Sequence, residues 1–210
     1  MLREAVVPNR AFSALASDDQ VSRTIQALEA NHIQTILVAT GDEARSRVLS
    51  LLPAGALVYQ SASRTLELIG LAADIDHSTT FQPVRPLVRK LDRATQQAEI
   101  RRLAASPDVL VGSVHAITEQ GQVLVASAAG NQLGAAAFGA SQVIWVVGTQ
   151  KLVRTLDDGL RRIREYCHPL EDARTRVAYG QPSAVNKILI VNGEVPGRIT
   201  IVLVKQNLGF

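Results

Sequence analysis

Apolar and polar residues alternate along the chain with two periods. Val21, Ile25 and Leu28 recur at helical spacing, and Ser17 with Gln20 forms a capping box, so 18–31 reads as an amphipathic helix. Residues 35–39 are a short apolar run the size of a buried strand. After the Gly41-Asp42 turn, Ala44, Val48, Leu51 and Leu52 mark a second helix, which Pro53-Ala54-Gly55 ends. A strand over 56–59 and a helix over 65–73 follow. The polar, alanine-rich stretch 94–105 predicts a solvent-facing helix. Strands are expected at 108–111 and 122–126, with a Gln120-Gly121 turn before the second. A short helix is expected at 133–138, behind Gly130-Asn131, then a strongly apolar strand at 142–147 and a helix at 157–166.

Three segments break this pattern. Residues 1–17 read as a lead-in to one domain spanning 18–210. Residues 74–93, with Asp74, Asp76, His77, Phe81, Pro83 and Pro86, read as an irregular excursion placed to flap over one end of a sheet. Residues 167–184 are rich in polar and turn residues. Beyond them, Lys187–Val191 and Ile199–Val204 flank Asn192-Gly193 and Pro196-Gly197, which predicts a C-terminal antiparallel β-hairpin. The alternation predicts an α/β fold, an open and mostly parallel sheet with helices on both faces. In such sheets ligands sit beyond the carboxyl ends of the strands. The loops to search are therefore 41–42, 60–64, 112–119, 128–133 and 148–151.

Composition narrows the classes. Of the 210 residues, 47% are apolar and 20% charged, as in ordinary globular proteins. The single cysteine, Cys167, excludes an internal disulfide and any zinc or iron–sulfur site built from several cysteines. No apolar run approaches the ~20 residues of a spanning helix, and MLREAVVPNR lacks a signal-peptide core. The expected location is cytoplasmic, without membrane insertion. Net charge is only +3. The basic groups Arg85, Arg89, Lys90, Arg93 and Arg161, Arg162, Arg164 are interspersed with acids, and eight aromatics offer few stacking surfaces, so nucleic acid is not an expected partner. Neither GxxxxGK[ST] nor GxGxxG occurs. His32, His77, His115 and His168 are scattered, so no metal and no cofactor is expected.

Three segments carry candidate chemistry. The loop after the second strand, Gln60-Ser61-Ala62-Ser63-Arg64-Thr65, offers hydroxyls and free helix N–H groups to an anion, although Ser63 or Thr65 equally serves as a plain N-cap. The segment 112–119 places Ser113, His115, Thr118 and Glu119 after a buried strand. Glu119 is the candidate nucleophile or general base, the alternative being an exposed turn residue. Gly130 permits close backbone approach and Asn131 can bind a hydroxyl or carbonyl, or the pair is simply a tight turn.

Four ordered segments carry a family resemblance: SRTLELIG at 63–70, AITEQG at 116–121, AAGNQLGAAAFGASQVIWVVGTQKLVRTLDDGLRRIR at 128–164 and RITIVLVKQNLGF at 198–210. Together they resemble the LUD-domain family of lactate-utilisation proteins, the LutC/YkgG group. The resemblance implies a fold similar to the glucosamine-phosphate isomerase, ribose-phosphate isomerase and CoA-transferase superfamily. It also raises Thr118 and Glu119 as catalytic candidates, since CoA transferases form a thioester on a glutamate. Ser63, Thr65, Ser113, His115, Gly130 and Asn131 are the ligand-binding candidates. Two departures stand out. Ser61-Ala62 replaces a glycine pair common in relatives, and residues 174–187 lack the cysteine cluster that many relatives carry.

The resemblance implies a role in lactate or related organic-acid utilisation, beside iron–sulfur oxidoreductase subunits, with no cluster of its own. One alternative is a stand-alone isomerase or acyl/CoA-transferase acting on a small anionic metabolite through Glu119. Another is a structural or regulatory subunit. Substrate, catalysis and oligomeric state stay open at this level.

Overall fold

A computed structural model describes residues 7–210. The main sheet has six strands, all parallel: β1 (Gln34–Val38), β2 (Leu57–Gln60), β3 (Gln82–Pro83), β4 (Val109–Gly112), β7 (Gln142–Gly148) and β10 (Ile199–Val204). Their spatial order is β1-β10-β7-β4-β2-β3. A second sheet, of order β8-β5-β6-β9, contains β5 (Ala116–Thr118), β6 (Val123–Ser127), β8 (Leu152–Val153) and β9 (Lys187–Val191). The expected α/β class, with a mostly parallel sheet, is what forms.

Strand alternation divides the core. Val143, Trp145 and Val147 of β7 face one way with Ile199, Ile201 and Leu203 of β10. Ile144 and Val146 face the other way with Val202 and Val204. The second face is covered by α2 (Gly41–Leu51), α3 (Arg64–Leu68) and α4 (Leu71–Asp76), through residues such as Ala44, Val48, Leu66 and Ile75. The first face is covered by α1 (Asp18–Ala30), through Val21 and Leu28, and by the small sheet, through Ile117, Val123 and Val125. The outer side of the small sheet buries Ala116, Leu124 and Ala126 against Ile163 and Leu160. Those two residues belong to a helical run of three parts: α7 (Leu156–Arg162), a π-helical stretch at Ile163–Cys167, and α8 (His168–Tyr179).

Side-chain caps start the helices where the sequence predicts them. Ser17 accepts from the Gln20 N–H, Thr40 from Glu43 and Thr155 from Asp158. The lead-in forms a 3-10 turn at Arg10–Ser13, and the Asn9 N–H donates to the Glu165 carbonyl at 2.9 Å. Residues 1–6 of the lead-in lie outside the described residues.

Several expectations are corrected. The two C-terminal strands form where expected, but not as a hairpin with each other. β9 pairs antiparallel with β6 in the small sheet, whereas β10 runs between β1 and β7 in the main sheet. The segment 167–184, though rich in polar and turn residues, is mostly helical, since α8 occupies most of it. The segment 74–93 is more regular than an excursion: it completes α4, adds edge strand β3 and forms α5 (Val84–Arg89), with Phe81 and Val84 buried. The helix expected at 65–73 is two short helices, broken at Gly70. The solvent-facing helix does form, as α6 (Gln97–Ala105), with no fully buried residue. Among the described residues no helix is long and apolar enough to cross a membrane.

Candidate functional site

Because β2, β4 and β7 are neighbours, the loops that follow them converge at one end of the sheet. A cleft of about 240 Å³ opens there. Ser61 and Ser63 come from the loop after β2, and Ser113 and His115 from the link between β4 and β5. Lys151 comes from the 3-10 turn after β7, and Cys167 from the π-helical stretch.

Lys151 sits at the floor of the cleft, 1% exposed. Its Nζ donates to Thr65 Oγ1 at 2.9 Å, Ser113 Oγ at 3.0 Å and the main-chain oxygen of Phe210 at 3.2 Å. The two hydroxyls use their own hydrogens elsewhere. Thr65 donates to the Leu208 carbonyl and Ser113 to the Val146 carbonyl. Both side-chain partners are thus uncharged acceptors. Burial, with help from the nearby Arg162 charge, pushes the Lys151 pKa down to about 7, and Cys167 opposes this weakly. The other cations around the cleft have counterions: Arg64 meets Glu67 at 2.6 Å and Arg174 meets Glu171 at 2.7 Å. Among the described residues no Asp or Glu side chain pairs with Lys151.

His115 is fixed as a donor. Its Nδ1 accepts the Ala126 N–H at 3.1 Å, so the neutral ring carries its proton on Nε2. Burial first, then the charges of Lys151 and Arg162, push its pKa down to about 3. Arg162 lies behind it, fully buried. Its Nη1 donates to the His115 carbonyl and lies 3.0 Å from the Cys167 sulfur. Its plane sits 5.1 Å from the Tyr166 ring centroid, while Nε and Nη2 lack hydrogen-bond partners. Burial holds the Cys167 thiol above its ordinary range, against the pull of Arg162 and Lys151.

Of the six ligand-binding candidates, Ser63, Ser113, His115 and Asn131 line the cleft. Thr65 lies just beneath, held against Lys151. Ser63 also caps α3, accepting from the Leu66 N–H. Asn131 donates to the Tyr59 hydroxyl at 3.0 Å. Gly130 is not a lining residue. It adopts φ +85, and a Cβ there would meet the Lys187 side chain at 2.7 Å, so turn and packing explain it. The catalytic candidates lie elsewhere. β5 carries the chain from His115 away from the cleft, and four extended residues span about 13 Å. Thr118 is fully buried and accepts the Gln122 N–H at the hairpin turn. Glu119 follows it and pairs with Arg23 of α1 at 3.2 Å. Lys151, Arg162 and Cys167 are not among the site candidates that the sequence offers. Lys151 does carry a signal, because a lysine wedged between the apolar runs 143–147 and 152–153 has little choice but burial.

A family model described as the LUD domain matches residues 21–204. The chain belongs to the LUD-domain family. A LUD-domain assignment agrees with the fold. The crystal structure of a DUF162 family protein from Deinococcus radiodurans superposes with a TM-score of 0.55 at 13% identity, covering 91% of this chain and 99% of that one. At that identity the likeness shows the shared fold of this LUD domain. No curated protein matches the chain.

Proposed function

We propose that this LUD-domain protein binds a small organic anion in the cleft. The observation that carries the proposal is the buried Lys151 ammonium at the cleft floor, which among the described residues has no Asp or Glu side chain as a partner. A buried cation is costly to desolvate, and an anionic ligand relieves that cost. The His115 Nε2–H adds a neutral donor, and the cleft volume suits a molecule of a few carbon atoms.

The LutC/YkgG resemblance gives this ligand a setting: cytoplasmic utilisation of lactate or a related organic acid, beside iron–sulfur oxidoreductase subunits. Acyl transfer through Glu119 draws no support from the cleft, since that carboxylate faces Arg23 on the far side of β5.

Thermal unfolding against lactate, pyruvate, CoA and sugar phosphates tests the proposal. A ligand at a hundred times its Kd stabilises by about 2.7 kcal/mol. Each kcal/mol raises Tm by roughly 2–4 °C at this size. A small carboxylate is expected to raise Tm by roughly 5–10 °C in the wild type and not in Lys151→Met. No shift with any anion, or an equal shift in the variant, overturns it.

A further inference from the structure

We propose that residues 170–186 form a lid, hinged at 163–169, that opens to let the anion reach Lys151; this deepens the anion proposal above and rests on it.

The site needs an entrance, because Lys151 lies at the cleft floor almost wholly buried. Two walls enclose the space above it. One is built from the loops at the ends of β2, β4 and β6. Each of these strands has a partner on both sides, so this wall moves only by breaking a sheet. The other wall is α8, through His168, Glu171 and Arg174, with residues 183–185 of the loop that follows it.

The second wall is loosely attached. Among the twelve residues of α8 only Pro169 is fully buried, and Val177 and Tyr179 near its end are exposed. Its own parts, by contrast, are tied together. Asp172 Oδ1 accepts the Ser183 N–H at 2.8 Å, and Asp172 and Glu171 pair with Arg176 and Arg174. Helix and loop therefore move as one body. Among the described residues two side-chain hydrogen bonds join 170–186 to the rest. His168 Nε2 lies 3.2 Å from the Ser183 carbonyl, and Asn186 Nδ2 donates to the Ala128 carbonyl at 3.2 Å. Val185 adds a half-buried contact with the outer side of the small sheet. The Asn186 bond is the latch, since Ala128 belongs to the opposite wall.

The hinge is written into the helical run 156–179. Its backbone ladder loosens to π-helical spacing at Ile163–Cys167. Pro169 then brings no N–H for the Glu165 carbonyl, which accepts the Asn9 N–H at 2.9 Å instead. A missing rung beside a π-helical turn is where a helix bends at least cost. The segment before it is anchored by Arg162, Ile163 and Tyr166, all buried, and the segment after it is the lid.

Cys167 tests the motion. It is the single cysteine, and it lines the cleft buried beside the hinge. The full chain is labelled with N-ethylmaleimide at pH 8, in urea well below the unfolding transition, and followed by intact mass. The expected labelling rate barely changes with urea, as for a local opening that exposes little surface. Asn186 is exposed and outside the cleft lining, so Asn186→Ala removes the latch and leaves the site. This variant is expected to label about fivefold faster, the loss of one ordinary hydrogen bond. Hydrogen exchange is expected to quicken in 170–185 and to stay unchanged in β7 and β10. Lactate or pyruvate, added separately, is expected to slow labelling of the wild type. A rate that climbs steeply with urea, or an equal rate in the variant, overturns the lid, even where an acid raises Tm and anion binding stands. Latch-sensitive labelling that neither acid slows, with no Tm shift, keeps the motion and overturns its role in admitting an anion together with the anion reading.

Discussion

Lys151 and Ser113 meet across the seam between β7 and β4: Nζ donates to Oγ at 3.0 Å, and the same hydroxyl donates to the Val146 carbonyl at 2.7 Å. The hydroxyl is therefore locked as an acceptor toward the lysine, and the two loops are fixed to each other. Ser113→Ala removes one of the three acceptors. It is expected to lower the Lys151 pKa further and to weaken anion binding at pH 7. Calorimetric titration of wild type and variant with the same carboxylate checks this, and equal affinity contradicts it.

The Lys151 titration also makes stability depend on pH. Its folded pKa is about 7 against an ordinary 10.5, under the influence of burial, Arg162, and Cys167, with His115 beside it. Between these values the unfolded chain binds more protons, so this contribution raises stability with pH from 7 to 10.5. Below pH 7 the folded protein carries the full penalty, on the order of 5 kcal/mol for a shift of this size. Lys151→Met is expected to be more stable than wild type at pH 6, with the advantage shrinking by roughly 3 kcal/mol at pH 9. Urea denaturation at the two pH values measures the difference. An advantage that grows with pH contradicts the assignment.

His115 acts in the acid range. Its pKa is depressed to about 3 from an ordinary 6.5, so stability is intact above pH 6.5 and is lost as pH falls toward 3. Protonation of Nδ1 breaks the bond from the Ala126 N–H. His115→Gln is expected to flatten this part of the profile, by up to roughly 5 kcal/mol across the window. Unfolding followed from pH 7 to pH 4 tests it, and parallel profiles count against a neutral His115.

Gly148 holds the turn that carries Lys151. A Cβ there would lie 2.1 Å from Gln150 Oε1, 2.5 Å from the Gln206 carbonyl and 2.9 Å from the Leu208 nitrogen. Two of these are backbone atoms, which cannot simply rotate away. Gly148→Ala is expected to cost roughly 2–3 kcal/mol by overpacking. It also loosens the contact of residues 208–210 with Gln150 and Lys151. Denaturant midpoints and proteolysis of the last residues report both effects; an unchanged midpoint contradicts the clash.

Glu119 offers a contrast. Its partner is Arg23 and its position is a hairpin turn. Glu119→Gln is expected to leave carboxylate binding unchanged, as measured by the same titration. A tenfold loss would return the glutamate to the site.

Much of the fold is legible in the sequence because its central strands announce themselves. The run 143–147 is apolar throughout, as expected of a strand covered on both faces. The same rule separates the last two strands. Ile199–Val204 is buried at every position, the mark of a central parallel strand, whereas Lys187–Val191 is half exposed. Reading the intervening Asn192-Gly193 and Pro196-Gly197 as a hairpin gave local turn chemistry more weight than this difference. α8 escaped notice because its stability is mostly local. Only Pro169 is fully buried, and the helix is supported by Glu171–Arg174 and Asp172–Arg176 pairs and a left-handed Gly180 cap.

The site was legible in its loops more than in its atoms. The strand-end rule pointed to five loops: 60–64, 112–119, 128–133 and 148–151 contribute cleft residues, and 41–42 does not. What distinguishes Lys151 is its set of partners, Thr65, Ser113 and Phe210, which are distant in sequence. The separation of Glu119 from His115 depends on the direction of β5, which periodicity does not give.

The most direct measurement is isothermal titration of the protein with pyruvate or lactate at pH 7.5, in buffers of differing ionisation enthalpy. If the ligand is an anion paired with Lys151, binding raises the lysine pKa, so complex formation takes up a sizeable fraction of a proton and affinity falls as pH rises above 7. Binding without proton uptake and with pH-independent affinity, or no binding by any small carboxylate, contradicts the assignment of Lys151 as the anion's partner.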